Sequence, residues 1–397
     1  MKRALLFLAA GEVSGDLHGA ALAYQLRQLV PELELFGWGS HRMASAGVTL
    51  LQDLTPHAAV GLTENFGAIR PTSRALRQAH DFLVRRRPAA VILIDYQGAN
   101  MRLARRCRRL GIRTIYYIAP QEWIWGFRNG ARKVARQIDL MLAIFEQEAA
   151  VYRRAGGRVE FIGHPLLDQL PDTNSLPALR QRNGLYSTDP VLGIFPGSRR
   201  SEIIRLLPAM LKAVQLLRVE RPKLQVILPL ASPLFRDLVT AMVTAQSALQ
   251  LPGSAGTVPA IKIIEDATGP EALALCTAAL LTSGTVTLEA AIAGVPAITV
   301  YRVSGITAWL ARHLFKLRYI SLPNIVANRL VLPELLQEEA NPHAMATALA
   351  PLLDDEQQRA QQRSALAQVR AALGEPGAIA RAAAAITKEA GLRGVIP

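Results

Sequence analysis

The chain is poor in cysteine. Cys107 and Cys276 are the only two in 397 residues, and they share no metal-ligand spacing. A disulfide framework is excluded, and the pair fits a reducing cytosol. Half the residues are hydrophobic, yet no apolar run approaches the ~20 residues of a membrane span. There is no Asp-x-Asp motif and no His/carboxylate cluster at metal-ligand spacing, so neither metal nor cofactor is expected. No aromatic residues are interleaved with the arginines and no nucleic-acid motif occurs, which argues against RNA or DNA as a partner. What the chain does have is length: 397 residues exceed one core, and two domains are expected.

It also has positive charge, +14 in all, unevenly spread. Over residues 1–165 Lys and Arg outnumber Asp and Glu 23 to 13, and over the remainder 22 to 18. Arginines cluster at Arg70, Arg74 and Arg77, at Arg85–Arg87, and from Arg102 to Arg113. Helical spacing puts Arg102, Arg105, Arg106 and Arg109 on one face, with Leu103, Cys107 and Leu110 facing the other way. Such a face suits anionic lipid headgroups, and equally a solvated helix surface.

The stretch Leu5–Ala20, LLFLAAGEVSGDLHGA, organises the N-terminal half. A short apolar run breaks at Gly11, and a helical pattern follows with Leu17, Ala20, Ala21 and Tyr24. Lys2 and Arg3 precede it like the start of a signal peptide, but the apolar run is short and acidic Glu12 and Asp16 follow at once. Strand, glycine turn and helix open an α/β domain of the Rossmann kind. Gly11, Glu12, Ser14, Gly15 and Asp16 fall where that strand ends, the usual ligand position of an open parallel sheet. The glycine spacing departs from the dinucleotide fingerprint, so packing and ligand binding both remain open.

Further strands are expected at 33–37, 48–51, 89–95, 113–118, 139–144 and 159–165, with helices at 71–87, 127–138 and 146–154. Glu64 sits inside an apolar, glycine-broken loop at 58–69. Asp95 closes a continuous apolar strand, a catalytic position in such sheets, or else an N-cap. APQEWIWG follows the next strand and carries Glu122, Trp123 and Trp125. Its tryptophans suit a sugar ring or an acyl chain, and equally packing.

Residues 166–185 change composition, with prolines and polar residues, and read as a linker. Beyond it Val191–Phe195 and PGSRRSEI repeat the strand–turn–helix opening. Gly197, Ser198 and Arg199 offer backbone N–H groups, a hydroxyl and a guanidinium at a helix start, which suits phosphate oxygens. Ser283, Gly284 and Thr285 open another helix after an expected strand at 277–281, with Thr287 and Glu289 in its first turns. Hydroxyls and N–H groups there suit a diphosphate, and Glu289 suits a ribose; the plain alternative makes the hydroxyls caps. An amphipathic helix is expected at 306–320, and Ala-rich helices at 344–353, 356–373 and 377–390.

Taken together, AGEVSGDLHGA, VGLTE, IDYQGAN, YIAPQEWIW, FIGHP, FPGSRRSEI, SGTVTLEAAIAGVPAITVYR and YISLPN resemble the lipid-A-disaccharide synthases, over about Leu5–Leu353. The resemblance implies an α/β fold of the GT-B type, two Rossmann-like domains facing a cleft with C-terminal helices packing across both. Residues 1–165 would form the acceptor- and membrane-facing domain, 166–185 the linker, 186–355 the UDP-sugar domain, and 356–397 helices returning toward the first domain. It implies an inverting transfer from UDP-2,3-diacylglucosamine to 2,3-diacylglucosamine 1-phosphate, giving the lipid A disaccharide 1-phosphate and UDP. The setting would be the cytoplasmic face of an anionic inner membrane, and a homodimer is allowed.

The acceptor side would comprise Gly11, Glu12, Ser14, Gly15, Glu64, Asn100 and Trp123. The UDP side would comprise Gly197, Ser198, Arg199, Ser283, Gly284, Thr285, Thr287, Glu289, Arg302 and Asn324. Without a metal, helix N-termini and Arg199 would stabilise the departing UDP. One departure stands out. The family pattern carries a second Asp three residues after Asp95, and here that position is Gly98. A carboxylate at Glu122, on a loop where the family more often lacks one, is the second departure. The base is therefore expected among Asp95, Glu122 and Asp16. Another UDP-sugar enzyme, such as an epimerase or a transferase for a different lipid acceptor, and a binding protein without catalysis are the alternatives that Gly98 leaves open.

Overall fold

The structure is a computed structural model, and it describes residues 4–54, 69–125, 129–170, 176–185, 189–247, 260–265, 267–303 and 318–392. Glu64 and the segment 304–317, which covers most of the amphipathic helix expected at 306–320, lie outside the described residues. The chain divides into two compact units. The first comprises Met1–Asp168 and Leu373–Pro397, the second Gln169–Ala372.

In the first unit seven strands form one parallel sheet: β1 Leu5–Ala10, β2 Glu34–Trp38, β3 Thr49–Gln52, β4 Ala90–Ile94, β5 Arg113–Tyr117, β6 Leu140–Ala143 and β7 Val159–Phe161. The order is β3-β2-β1-β4-β5-β6-β7. β1 and β4 are buried at every residue. Helices on both faces of a parallel sheet demand this, and it is why these strands read as unbroken apolar runs. On one face Leu5, Phe7, Val91 and Leu93 pack with Leu103, Ala104 and Cys107 of the helix Gln97–Leu110. The helix after β1 spans Val13–Leu29 and begins four residues before Leu17, the first residue of the expected helical pattern.

The second unit repeats the plan. Its strands are β8 Val191–Phe195, β9 Gln225–Pro229, β10 Lys262–Ile264, β11 Ala278–Thr282, β12 Ala297–Tyr301 and β13 Glu334–Leu336, ordered β10-β9-β8-β11-β12-β13, all parallel. In each sheet the chain starts at a central strand, winds outward one way, then reverses. The reversals fall between β1 and β4 and between β8 and β11, where the loops after the strands part and leave a crevice.

Two features depart from the sequence reading. The stretch 166–185 is not an irregular linker throughout. It holds a 3-10 turn, Pro165–Gln169, and a helix, Leu176–Arg182. Leu179 and Leu185 are buried with Val191, Ile227 and Ile264, so its second half is part of a core. β13 was not expected, because three residues between Pro333 and Gln337 carry no periodic signal.

The C-terminal helices go to different units. Glu356–Ala372 packs on the second unit's helices Thr285–Ala293 and Leu322–Ala327. Ala378–Ala390 packs on Val13–Leu29 of the first. Asp168 accepts hydrogen bonds from the backbone N–H groups of Gly377, Ala378 and Ile379, capping that last helix. At its far end the buried Glu389 pairs with Arg113 at 3.1 Å and Arg158 at 2.8 Å. Among the described residues no helix is long and apolar enough to cross a membrane.

Candidate active site

The crevice of the first unit is built around Asp95. β4 ends at Ile94, and the chain then turns through two non-glycine residues in left-handed conformation, Asp95 at φ 49° and Tyr96 at φ 45°. Such residues are strained and persist only where neighbours hold them. The Asp95 carbonyl accepts from the Tyr116 hydroxyl and from Asn100 Nδ2, both at 2.8 Å. Asn100 Nδ2 also donates to the carbonyls of Ala9 at 3.1 Å and Ile94 at 3.2 Å. One buried amide thus ties the ends of β1 and β4 to the turn. Asn100 is fully buried; its Nδ2 braces the Asp95 turn, while its Oδ1 has no hydrogen-bond partner.

The Asp95 carboxylate accepts from the Ser14 hydroxyl at 3.2 Å, at the start of the helix Val13–Leu29. Burial raises its pKa above the usual carboxylate range, against the backbone of Tyr96 and the Ser14 hydroxyl, which lower it. A half-buried carboxylate with raised basicity is a competent general base. The Tyr96 ring lies over Gly11, where a Cβ would come within 2.1 Å of it. Gly11 therefore admits a ring, and Gly15 lets the helix close onto Ala10, 3.3 Å from a would-be Cβ. Both glycines serve packing. Glu12 is the N-cap residue of the same helix.

Asp16 is not available as a base. It is buried, and its carboxylate accepts from the backbone N–H of Ser40 at 2.6 Å and of Arg42 and Met43 at 3.2 Å each. It caps the helix His41–Ser45, which packs directly against its own helix. Glu122 differs. It opens the short helix Glu122–Trp125 after β5, and it is buried. Its Oε1 accepts from Gln97 Nε2 at 2.8 Å, while Oε2 has no partner. Gly130 makes room for it, since a Cβ there would lie 1.9 Å from Oε2. Gly98, by contrast, faces open space. Trp123 is half-buried and spends its ring on Phe145, at 5.1 Å between centroids.

Sequence reasoning passed over Tyr116, which sat inside an apolar strand with no polar pattern to mark it. It also passed over Glu148. Burial pushes the Glu148 carboxyl up to about 8, against the N–H groups of Ile144 and Phe145 that it accepts from.

In the second unit, Gly197 takes φ 115°, open only to glycine, after β8. The turn it makes is occupied by Glu202, which sequence reasoning also missed. Glu202 accepts from the N–H of Ser198 at 3.1 Å and pairs with Arg199 at 2.8 Å. The carboxylate marks where this turn places an anion. After β11, Gly284 and Thr285 are exposed at the start of the helix Thr285–Ala293. The other hydroxyls are used internally. Ser283 donates to Ile320 O at 3.1 Å, and buried Thr287 donates to Gly284 O at 2.7 Å. Thr287 therefore has no free hydroxyl hydrogen for a ligand. Glu289 lies one turn on, and burial pushes it up to about 7.

Arg302 donates through Nε to Gln337 O at 3.0 Å. Asn324 is fully buried and saturated. Its Oδ1 accepts from the N–H of Val331 and Leu332, and its Nδ2 donates to Leu332 O and Glu334. Glu334 in turn holds the N–H groups of Ile320 and Ser321. Asn324 thus braces the segment beneath Ser283 and meets no ligand, because an amide makes four hydrogen bonds and all four are taken.

Two doubly wound parallel sheets, each with its polar residues gathered at the strand-order reversal, define an α/β protein of the GT-B class. The calicheamicin glycosyltransferase CalG4 has this fold, with a TM-score of 0.59, 16% identity and full coverage of both chains. So has the UDP-GlcNAc 2-epimerase of Neisseria meningitidis, solved bound to UDP-GlcNAc, with a TM-score of 0.64, 12% identity and coverage of 97% of this chain and 99% of that one. The family model described as lipid-A-disaccharide synthetase matches residues 6–388, and the lipid-A-disaccharide synthase of Geobacter sulfurreducens is 39% identical over 97% of each chain. The chain belongs to the lipid-A-disaccharide synthetase family.

Proposed function

We propose that the chain transfers diacylglucosamine from UDP-2,3-diacylglucosamine to 2,3-diacylglucosamine 1-phosphate with inversion, at the cytoplasmic surface of an anionic membrane. The observation that supports the mechanism is the Asp95 carboxylate, which sits on the strained turn after β4, accepts from Ser14 and is raised in pKa by burial. The acceptor's 6-hydroxyl oxygen attacks C1 of the donor sugar from the face opposite UDP. The bond from C1 to the diphosphate oxygen breaks, its electron pair leaves with UDP, and the hydroxyl proton passes to Asp95. A β-1,6-linked disaccharide 1-phosphate results.

Departing UDP carries new negative charge. The N–H groups at Gly197–Arg199 and Gly284–Thr285 meet it, with the Arg199 guanidinium released from Glu202 as the diphosphate takes that place. Glu289 accepts from the ribose hydroxyls. Glu122 is left to orient the acceptor, because its Oε1 already holds Gln97, two residues beyond Asp95, while its Oε2 beside Gly130 has no partner.

Mass spectrometry of a reaction holding both diacylated substrates tests this reading. Disaccharide 1-phosphate and UDP are expected in equal amounts, with little product when non-acylated UDP-glucosamine replaces the donor. UDP binding without disaccharide would point to a protein that has lost catalysis. An epimerised UDP-sugar would point to the other chemistry seen on this fold.

A further inference from the structure

The helices Gln97–Leu110 and Gly130–Ala135 both line one cationic groove. It encloses about 910 Å³, lined on its basic side by Arg108, Arg132, Lys133 and Arg136 and ending at Gln97 and Glu122. A smaller cavity of about 230 Å³ continues it past Gly98 and Met101, sharing Glu122 and Lys133. Pockets of this size are typical of small-molecule sites.

Arg108 donates to Arg136 O. Arg132, Lys133 and Arg136 are exposed. No carboxylate lies within ion-pair distance of these three among the described residues. Like charges gathered in a groove repel one another and focus a positive potential inside it, so the arrangement favours a bound anion. The groove's end asks for something different. Glu122 is nine-tenths buried with one oxygen unpartnered. A buried carboxylate oxygen left without a donor is costly, and a ligand hydroxyl supplies that donor. The ligand is then a molecule with a phosphate at one end and hydroxyls at the other.

We propose that this groove seats the acceptor's phosphate, with Arg132, Lys133 and Arg136 neutralising it while Glu122 receives a hydroxyl of the same molecule. The proposal rests on the reading that the acceptor is a glucosamine 1-phosphate. It assigns a direction to that substrate: phosphate outward along the groove, sugar inward toward Gln97 and Glu122. The absence of a side chain at Gly98, which faces open space, keeps the passage between the two cavities clear.

The test is calorimetric titration of the full-length protein with glucosamine 1-phosphate and, separately, with glucosamine. Saturable binding of the phosphate ester and none of the free sugar is expected. Arg132→Ala/Lys133→Ala/Arg136→Ala should weaken binding of the ester at least about tenfold, since charge-assisted phosphate contacts are among the stronger hydrogen bonds. A control pair, Arg77→Ala/Arg109→Ala, alters the neighbouring groove that Arg77, Arg102 and Arg109 line, and should leave ester binding within twofold.

Cosedimentation with phosphatidylglycerol vesicles separates a lipid surface from a sugar phosphate as the source of the phosphate. The proposal is overturned if wild-type protein does not bind the ester, or if the triple variant binds it normally. It is also overturned if the triple variant loses only vesicle binding. These outcomes differ from failure of the functional reading, in which the ester binds as expected but no disaccharide forms.

Discussion

At Glu289 burial sets the charge of a residue proposed to hold the donor's ribose. Its carboxyl titrates near 7 because burial disfavours its charge. On the proposed reading ribose hydroxyls donate to the ionised form and favour it, so donor binding should be tightest above pH 7. Below that the KM for UDP-sugar should rise, by up to about tenfold per pH unit, and Glu289→Gln should flatten the dependence. Stability runs the other way. A folded-state pKa raised above the unfolded value contributes stability below about pH 4.5 that is lost as pH rises through 7. The unfolding temperature of the free protein should therefore fall with rising pH over the same interval in which KM falls, and KM measured from pH 5.5 to 8 beside thermal unfolding checks both. Glu289 was legible in the sequence because a carboxylate one turn into a hydroxyl-and-glycine helix start is conspicuous. Asp16, Asn100 and Asn324 looked equally functional, yet the groups their side chains bind in the structure are backbone groups and side chains that no neighbouring residue announces. Asp16 caps backbone 24 to 27 residues away, and Asn100 reaches back 91 residues to Ala9. No local pattern encodes such partners.

Among the elements, the strands buried on both faces were the most readable. β1, β4 and β8 appear as unbroken apolar runs and fall within a residue or so of their expected positions. Short elements set by tertiary contact were not readable, as β13 and the helix Leu176–Arg182 show. The last helix, Ala378–Ala390, is the informative case. It is Ala-rich and offers little core of its own, yet it belongs to the first unit, far from it in sequence, through Asp168, Arg381 and Glu389. Ending the chain after Ala372 should expose the face of the helix Val13–Leu29 that it covers. The first unit should then unfold at lower temperature while the second is little changed, which hydrogen exchange resolved along the chain would register. Equal loss of protection in both units would contradict that assignment.

For the molecule as a whole, the division of labour follows the charge. The first half carries most of the excess of Lys and Arg, and its arginine-lined grooves suit an acceptor that is both phosphorylated and membrane-borne. The second half carries the turns that suit a diphosphate. The central claim of the proposed function is proton transfer to Asp95, and the direct measurement is the pH dependence of kcat/KM for disaccharide formation by wild-type protein, Asp95→Asn and Glu122→Gln. With Asp95 as base, the wild-type rate should climb with pH through a pKa above the ordinary carboxylate range and then level. Asp95→Asn should lose at least about 100-fold and that limb with it, the usual scale of a missing general base. Glu122→Gln should keep the limb and lose chiefly in KM for the acceptor. A fully active Asp95→Asn, or an acid limb that vanishes in Glu122→Gln instead, would contradict the assignment.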